Sequence, residues 1–487
     1  MGYRSRVNST TSSPRSRGRI LAWAFWDWGS AAFNAVVTTF VFSVYITNED
    51  VFGDNANTDF SNVLMVSGII VAIIAPALGQ ATDRSGRRRF IIASTTSITI
   101  AATAALAFVQ PDRAYLWLGL LLLAAGNIAF ETGSVVYNAM VSDISTKETI
   151  GRISGFGWGL GYVGGIVLML ALYVAFIAPD VGLFGVTSEG AWDVRVSMIA
   201  CAVWTLVSSL PLMLTARDVP PKKTGSLGIV GSYREVFSSI KRLWHQDRNI
   251  VWFLMSSAVY RDGLAGVFSF GGVLAGRAFG FEDSEVLVFG IVANLVAGIA
   301  TITFGYFDDR FGARRVILMS LTSMVILGLT VFALHSQGKM IFWVFGLALC
   351  IFVGPVQSAS RTYLARVIPR GEEAEIFGLY ATTGRAVSFL APWMYGTAIT
   401  LGATVMSSTK AEAAHFGILG ITLVLAVGLA GFLAVKQPAH SDSTLEQVGD
   451  QVRGSTTGAE RYTHEEAVFG DTRGAAADQD RGEDPRE

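Results

Sequence analysis

The chain has 487 residues, of which 51% are apolar and 15% are charged, and its formal net charge is −1. Soluble domains carry about 25% charged residues, so this composition excludes an ordinary soluble protein. The absence of a basic excess gives no sign of a nucleic-acid partner. The two cysteines, Cys201 and Cys350, are too few for a disulfide framework or a metal site. Composition therefore predicts a membrane protein that needs no cofactor.

Twelve apolar stretches are long enough, at about 20 residues, to cross a bilayer as helices. Their approximate bounds are 21–46, 62–80, 90–109, 115–140, 153–177, 194–214, 250–275, 286–304, 316–335, 340–367, 376–401 and 415–435. The pattern predicts an all-α polytopic membrane protein with twelve transmembrane helices in two groups of six.

The regions outside these spans divide the chain further. Residues 1–19 form a basic tail, and residues 20–215 hold the first six-helix bundle. Residues 216–248 are predicted to be a linker with an amphipathic helix, and residues 249–436 form the second bundle. Residues 437–487 are acidic and poor in aromatic residues, a composition that predicts a disordered tail.

A short polar motif occurs twice, each time after the second span of its half. The first copy contains Gly79, Asp83, Arg84, Gly86 and Arg87. The second copy begins 226 residues later (79 to 305) and contains Gly305, Asp309, Arg310 and Gly312, with Ala313 where the first has Arg87. A repeated motif inside a repeated hydrophobic pattern is typical of secondary transporters with two homologous halves. Both copies are predicted to be gating loops on one face of the membrane.

The distribution of Lys and Arg predicts the orientation of the chain. The loops and tails on the side of both termini carry 29 of these residues, against five on the opposite side. Both termini are therefore expected in the cytoplasm, and the protein in the cell membrane. Trp23, Trp26 and Trp28, near the cytoplasmic end of the first span, are predicted to be interfacial anchors.

The predicted linker helix combines an apolar face with several cations. The apolar face consists of Val236, Phe237, Ile240, Leu243 and Trp244. The cations that can reach lipid phosphates are Arg234, Lys241 and Arg242. Such a helix is predicted to lie on the membrane surface.

Six acidic or arginine side chains lie inside the predicted spans, away from their ends. They are Asp27, Glu131, Arg261, Asp262, Arg361 and Arg385. Because an ionisable group in hydrocarbon costs at least ~2.5–3.5 kcal/mol, the default interpretation is a substrate or ion pathway. The alternative is a structural role, in which the charges pair to hold the bundle closed. This alternative is favoured for Arg385, and Arg361 can instead extend toward the cytoplasmic surface.

Two neutral polar residues, Asn34 in the first span and Gln357 in the tenth, complete the predicted pathway. Each can hydrogen-bond a solute, although hydrogen bonds between helices explain them equally well.

The duplicated motif resembles the loop signature of the major facilitator superfamily. Three runs, at residues 22–31, 260–263 and 357–380, are similar to the vacuole-effluxer-like branch of that superfamily. The resemblance implies two pseudo-symmetric six-helix bundles in which spans 1, 4, 7 and 10 line a central cavity. It also implies that Asp83 and the arginines after it form a latch between the halves. A fungal member of the branch is associated with export of amino acids from the vacuole.

The predicted function is secondary active transport of a small solute by alternating access. Arg261 can bind a carboxylate and a neighbouring acid can bind an ammonium group. Together with the resemblance, this favours an amino acid or a similar zwitterionic or anionic metabolite. Glu131 or Asp262, near the middle of the membrane, is predicted to couple transport to protons. The protein is expected to work as a monomer in the lipid bilayer.

Other functions fit the sequence less well. An enzyme is not expected, because the short loops opposite the termini carry no cluster of acids or histidines that could bind a metal. ATP-driven transport is unsupported, because the sequence contains no G-x-x-x-x-G-K-[ST] loop. A receptor or scaffold that retains the transporter fold without moving a solute stays open, as does an exporter of hydrophobic or cationic drugs.

Overall fold

A computed structural model describes residues 17–221 and 229–436 of the chain. Every regular element within these two ranges is helical, so the all-α prediction is confirmed. The long helices, including their short 3₁₀- or π-helical turns, are α1 Arg17–Ile46, α2 Ala56–Ser85, α3 Arg88–Phe108, α4 Arg113–Ile144, α5 Ile150–Ile177, α6 Glu189–Thr215, α7 Arg248–Phe279, α8 Asp283–Phe311, α9 Ala313–Ala333, α10 Lys339–Val367, α11 Glu373–Met406 and α12 Glu412–Leu433. The linker helix, Ile229–Gln246, precedes α7. The predicted acidic tail lies outside the described residues.

Eleven of these helices, all except α7, are long and apolar enough to cross a membrane. α7 has 32 residues, which is ample length for a span. Arg261 and Asp262 stand in the middle of its apolar run and lower its hydropathy. The charges that made α7 a candidate for function are thus also what separates it from the other eleven helices.

Both copies of the polar motif differ from the predicted loops, because their acids lie in the last turns of helices. Asp83 belongs to the end of α2, and Asp309 to the end of α8. A glycine then ends each helix with a positive φ, 69° at Gly86 and 87° at Gly312, a conformation that glycine adopts without a steric penalty. We call the end of the bundle that carries these two turns the motif side, and the opposite end the far side.

Helix α11 is interrupted near the middle. Its first segment is Glu373–Val387 and its second is Leu390–Met406, so the interruption falls at Ser388 and Phe389. The break leaves the backbone N–H groups at the start of the second segment without partners inside the helix. These groups become a binding site for an acid, as described below.

The two halves, α1–α6 and α7–α12, meet along two seams. The first segment of α11 packs on α2, and α8 packs on α5. Small residues allow both contacts: a Cβ added at Gly79 would lie 2.1 Å from the carbonyl oxygen of Ala374, and one added at Gly155 would lie 2.6 Å from that of Thr301. Backbone therefore meets backbone at both seams.

Glycines cover two faces of α5. Gly155 and its neighbours one turn away face α8 in the other half, whereas Gly161 and Gly165 contact the backbone of α1 in the same half. α5 is thus packed closely on both sides, and its position relative to α1 and α8 is tightly determined.

Replacing Gly155 with alanine should destabilise the α5–α8 seam, because the added methyl group overlaps a backbone carbonyl that cannot move alone. Overpacking of this kind typically costs ~1–3 kcal/mol, so the thermal unfolding midpoint in detergent should fall. Gly290→Ala is the matched control, because nothing lies within 4 Å of the added Cβ. An equal midpoint for the two variants would contradict the close approach of α5 and α8.

Candidate functional site

The first motif acid, Asp83, connects the two halves on the motif side. Its Oδ2 atom accepts the backbone N–H of Glu375 in the first turn of α11, at 2.8 Å. Its Oδ1 atom lies 3.2 Å from Nη2 of the buried Arg88. Arg88 also donates to Glu373 of α11 at 2.9 Å and to Asp143 of α4 at 2.6 Å. A carboxylate at a helix N-terminus is stabilised by the N–H groups and by the helix dipole, so this contact holds α2 to α11.

The second motif acid, Asp309, makes the equivalent contact at the other seam. Its carboxylate accepts the backbone N–H groups of Gly151 at 2.6 Å and Arg152 at 3.1 Å, at the start of α5. Arg366 of α10 pairs with Asp308 and lies 3.6 Å from Asp309. Each copy of the motif thus places an acid at the N-terminus of the fifth helix of the opposite half. We call the Asp83–Glu375 contact the first latch and the Asp309–Gly151 contact the second latch.

The glycines of the motif permit these latches. Gly79 and Gly305 lie where backbones of opposite halves approach: a Cβ on Gly305 would be 2.8 Å from the carbonyl oxygen of Gly151. Gly86 contacts the segment after α6, where the N–H of Val219 donates to its carbonyl oxygen at 3.0 Å.

The motif arginines have different surroundings. Arg84 lies 3.2 Å from Glu235 of the linker helix, Arg310 stacks on the ring of Phe311, and Arg87 is exposed. The buried latch arginine is Arg88, which the sequence prediction did not select. A signal for it was available, because the second copy of the motif keeps an arginine at the position equivalent to Arg88 and loses it at the position equivalent to Arg87.

Arg361 of α10 forms the next contact between the halves. Its side chain does not extend to the surface, but enters the N-terminal half. Nε donates to the hydroxyl of Ser154 at 2.9 Å, and Nη2 donates to the carbonyl of the same residue at 2.7 Å. Nη1 donates to Asn138 at 3.2 Å and lies 3.6 Å from Oδ2 of Asp27. The predicted pathway residues Asp27 and Arg361 therefore form an ion pair between α1 and α10, in which Arg361 is buried and Asp27 is partly buried.

Aromatic rings surround this ion pair. The hydroxyl of Tyr137 donates to Asp27 at 2.9 Å, and the guanidinium carbon of Arg361 lies 4.7 Å from the ring centre of Trp23. Trp23 and Trp26 are buried and stack on Tyr137. The prediction that these two tryptophans anchor the protein at the membrane interface is wrong, since neither ring reaches lipid headgroups.

Glu131 of α4 and Arg385 of α11 form a further ion pair between the halves. Glu131 stands 13 residues before the end of α4 (131 to 144), and Arg385 stands 12 residues after the start of α11 (373 to 385). At 1.5 Å per residue both lie about 18–20 Å from the motif side, near the middle of a bilayer. Arg385, for which the sequence favours a structural role, thus pairs with Glu131, the acid predicted to line the pathway.

Arg261 and Asp262 of α7 both contact α11, on either side of its break. Arg261 donates to the carbonyl oxygen of Tyr380 at 3.0 Å and lies 3.8 Å above the ring of the same residue, in the first segment. Asp262 accepts the N–H of Ala391 at 2.5 Å and so caps the second segment. These contacts lie within one half, unlike those of Glu131 and Arg361.

The remaining predicted residues lie apart from the ion pairs. Gln357 of α10 accepts a hydrogen bond from the hydroxyl of Tyr162 in α5 at 3.4 Å, which is another contact between the halves. Asn34 is exposed, in the π-helical part of α1. Within the described ranges, no group of three or more His, Cys, Asp or Glu residues is arranged to hold a metal ion.

Solved structures of two membrane transporters have a similar fold. The chain superposes on the fucose:proton symporter FucP of E. coli with a TM-score of 0.65 and 12% identity, over 86% of this chain and 98% of FucP. The proton:xylose symporter XylE gives a TM-score of 0.63 and 12% identity, over 86% of this chain and 95% of XylE. The twelve-helix bundle thus has the fold of these major facilitator superfamily structures.

The branch of the superfamily follows from sequence similarity. Residues 141–440 match the family model "Vacuole effluxer Atg22 like", and the chain belongs to that family. It is 23% identical to the uncharacterized MFS-type transporter YxiO of Bacillus subtilis (strain 168), over 88% of this chain and 96% of YxiO. Autophagy-related protein 22 of Yarrowia lipolytica is 22% identical over 67% of this chain and 58% of that protein. The chain spans about half the length of the fungal relatives it matches.

Asp83→Asn should weaken the first latch, because it removes the charge that faces both Arg88 and the N-terminus of α11. Spin labels on Ser85→Cys and Arg370→Cys, on opposite sides of the latch, should report longer distances in the variant. Both native cysteines are buried, so they should not interfere with labelling. Asp54→Asn, at an exposed acid on the far side, is the control and should not change the distances. Unchanged distances in Asp83→Asn would refute the latch, and loss of the folded protein would indicate a purely structural role.

Proposed function

We propose that this protein is a secondary active transporter that moves a small carboxylate-bearing solute by alternating access. An amino acid, or a similar zwitterionic or anionic metabolite, is the favoured solute. The observation that carries the proposal is the ion pair between Glu131 and Arg385. It joins the two halves at mid-depth, it contains both signs of charge, and its side chains are only partly covered.

The contacts between the halves are more deeply buried toward the motif side, which supports access of solute from the far side in this state. The side chains of Glu131 and Arg385 are 22% and 34% exposed, whereas that of Arg361 is 3% exposed and that of Asp83 is 4% exposed. These exposures support a solute path to the mid-depth pair from the far side, with the motif side closed. Alternation then requires that the latches and the Asp27–Arg361 pair separate while the far side closes.

Arg385 is suited to bind the carboxylate of the solute. Its guanidinium group presents a fork of N–H donors that matches a carboxylate with two parallel hydrogen bonds. In the absence of solute, Glu131 occupies this fork. A solute carboxylate competes with Glu131, and an ammonium group on the same solute can then hydrogen-bond the displaced Glu131. The binding of a zwitterion leaves no charge unpaired, which is a strong requirement inside a membrane.

Proton coupling follows from the same exchange. Protonation of Glu131 removes the negative charge that holds Arg385, and Arg385 becomes free to bind the solute carboxylate. With Glu131 neutral, a solute that carries only a carboxylate pairs Arg385 completely, so this protonated form suits an anionic solute. One proton and one solute therefore bind together, and both leave when Glu131 loses its proton and takes Arg385 back.

The location we propose is the cell membrane, with the motif side in the cytoplasm. The support is the excess of Lys and Arg on that side, 29 against five in the loops and tails. The family's description as vacuole effluxers supports movement of solute out of a vacuole and so into the cytoplasm, which agrees with the joint movement of proton and solute proposed above.

Arg385→Gln should raise the half-saturating solute concentration roughly tenfold or more, because loss of a hydrogen bond to a charged group costs ~1.5–3 kcal/mol. The measurement is flux of radiolabelled amino acids, in a mixture and then singly, into vesicles containing the purified protein. Arg385→Lys keeps the charge but lacks the fork of N–H donors, so its half-saturating concentration should lie between those of the native protein and Arg385→Gln. Glu285→Gln, which breaks the 2.6 Å pair with Lys339 inside one half, is the control and should behave as the native protein.

Other outcomes of this experiment reassign the site or the function. Normal flux in Arg385→Gln, with loss in Arg261→Ala but not in Arg261→Lys, would move the carboxylate site to Arg261. Binding of an amino acid by the native protein without any flux would favour a receptor. Transport of cationic dyes without transport of amino acids would favour a drug exporter.

Glu131→Gln should separate proton coupling from transport itself. Glutamine cannot exchange a proton and leaves Arg385 available to the solute. Accumulation driven by a pH gradient should therefore be lost, while exchange of labelled for unlabelled solute across the membrane should continue. If pH-driven accumulation survives in Glu131→Gln, the proton is carried elsewhere, and Asp262→Asn is the next variant to measure.

A further inference from the structure

The apolar residues of the linker helix lie on two faces of the helix, whereas the sequence prediction places them all on one face. Val236 and Leu243 are buried against the bundle, whereas Phe237, Ile240 and Trp244 are 69%, 38% and 44% exposed. The exposed residues are spaced three and four positions apart, so they form one stripe along the helix. The linker helix therefore packs on the protein with one apolar face and presents a second to its surroundings.

The inner side of the linker helix contacts both halves. Glu235 accepts a hydrogen bond from Gln80 at 2.5 Å and lies 3.2 Å from Arg84, both in α2. Arg242, two turns later, donates to Glu372 at the start of α11 at 2.8 Å. The helix thus bridges the two elements that the first latch joins. When the latch opens, at least one of these two sets of contacts has to break.

The position of the linker helix places its outer face beside lipid. The hydroxyl of Tyr233 donates to the carbonyl oxygen of Ile73 at 2.6 Å, and the Ile73 side chain is exposed on the outside of α2. Ile73 lies 12 residues before the end of α2 (73 to 85), about 18 Å from the motif side. The Tyr233 side chain thus extends inward to the hydrocarbon region, whereas Gln80 and Arg84, which contact Glu235, lie five residues and one residue before the end of α2, within about 8 Å of the motif side. The linker helix itself therefore lies near the boundary between hydrocarbon and headgroups.

The outer face carries cations as well as apolar residues. Arg234, Lys241 and Arg248 are exposed, and the guanidinium carbon of Arg248 lies 5.8 Å from the ring centre of Trp244. An aromatic and aliphatic stripe flanked by cations is the chemistry that binds the interface of a membrane containing anionic lipids. A soluble protein partner would not explain why the stripe lies beside a lipid-facing surface of α2.

We propose that the outer face of the linker helix binds anionic phospholipid headgroups, and that this binding stabilises the closed first latch. Lipid contact favours the position in which the helix lies against the bundle, and in that position Glu235 and Arg242 connect α2 to α11. A ligand shifts an equilibrium only if it binds one state more strongly than the other. The proposed difference is that Glu235 and Arg242 together hold the linker helix against the bundle, with its outer face at the lipid, only while the first latch is closed.

Lipid binding can be tested with a polarity-sensitive fluorophore attached to Ile240→Cys in the full chain. The protein is placed in vesicles of phosphatidylcholine, or of phosphatidylcholine with one quarter phosphatidylglycerol. We expect emission typical of a less polar environment in the anionic vesicles. Arg234→Gln with Lys241→Gln should remove this difference. Arg113→Gln with Lys410→Gln, which removes two exposed cations on the far side, is the matched control and should retain it.

The effect on the latch can be measured with spin labels on Ser85→Cys and Arg370→Cys. Anionic lipid should lower the ratio of long to short distances about fivefold, the factor that roughly one cation near an anionic surface contributes. The Arg234→Gln, Lys241→Gln variant should lose this response. Emission that is independent of lipid charge, or equal losses in the far-side control, would overturn lipid binding. A dye response without a change in distances would overturn the effect on the latch. Neither readout requires a transported solute, so the result does not depend on the proposed transport function.

Discussion

Two acids at the ends of α2 and α8 hold the halves of this protein together, and the rest of the arrangement depends on them. Asp83 and Asp309 are placed at the first backbone N–H groups of α11 and α5, where a negative charge is stabilised by unpaired donors and by the helix dipole. A buried charge that loses its partners is strongly unfavourable. We therefore expect each latch to be either fully made or replaced by water, so that the motif side has two distinct states rather than a continuous range.

The charges farther inside the bundle follow the same rule. Arg361 is neutralised by Asp27 and Arg385 by Glu131, and in both cases the partners belong to opposite halves. Separation of the halves therefore exposes charges that must find new partners. On the motif side, water can supply them. At Glu131 and Arg385, the proposed function assigns this role to a zwitterion, or to a proton together with an anion. This difference is a physical reason for solute binding and movement of the halves to be linked.

Much of the fold could be predicted from the sequence, because the length of the apolar runs and the repeat of Asp83 and Asp309 are local features. The pairing inside the site could not. The sequence places Glu131 and Arg361 on helices that line the centre. Which residue each one meets depends on how the two halves are rotated relative to each other, and no local sequence feature determines that rotation. Arg385 was therefore assigned a structural role. Trp23 was assigned to the interface for a similar reason, because only the tertiary structure places Tyr137 over its ring.

The first segment of α11 connects the regions described above. Its N-terminus is held by Asp83, its middle is held by Arg261 through Tyr380, and Arg385 extends from it to Glu131. At 15 residues the segment is about 22 Å long, and a continuous helix of that length moves as a rigid body. The break at Ser388 and Phe389, where Asp262 caps the next segment, separates this movement from the far-side part of α11. A solute that displaces Arg385 from Glu131 would therefore act on the first latch through one rigid element, without a change in the packing of the second segment.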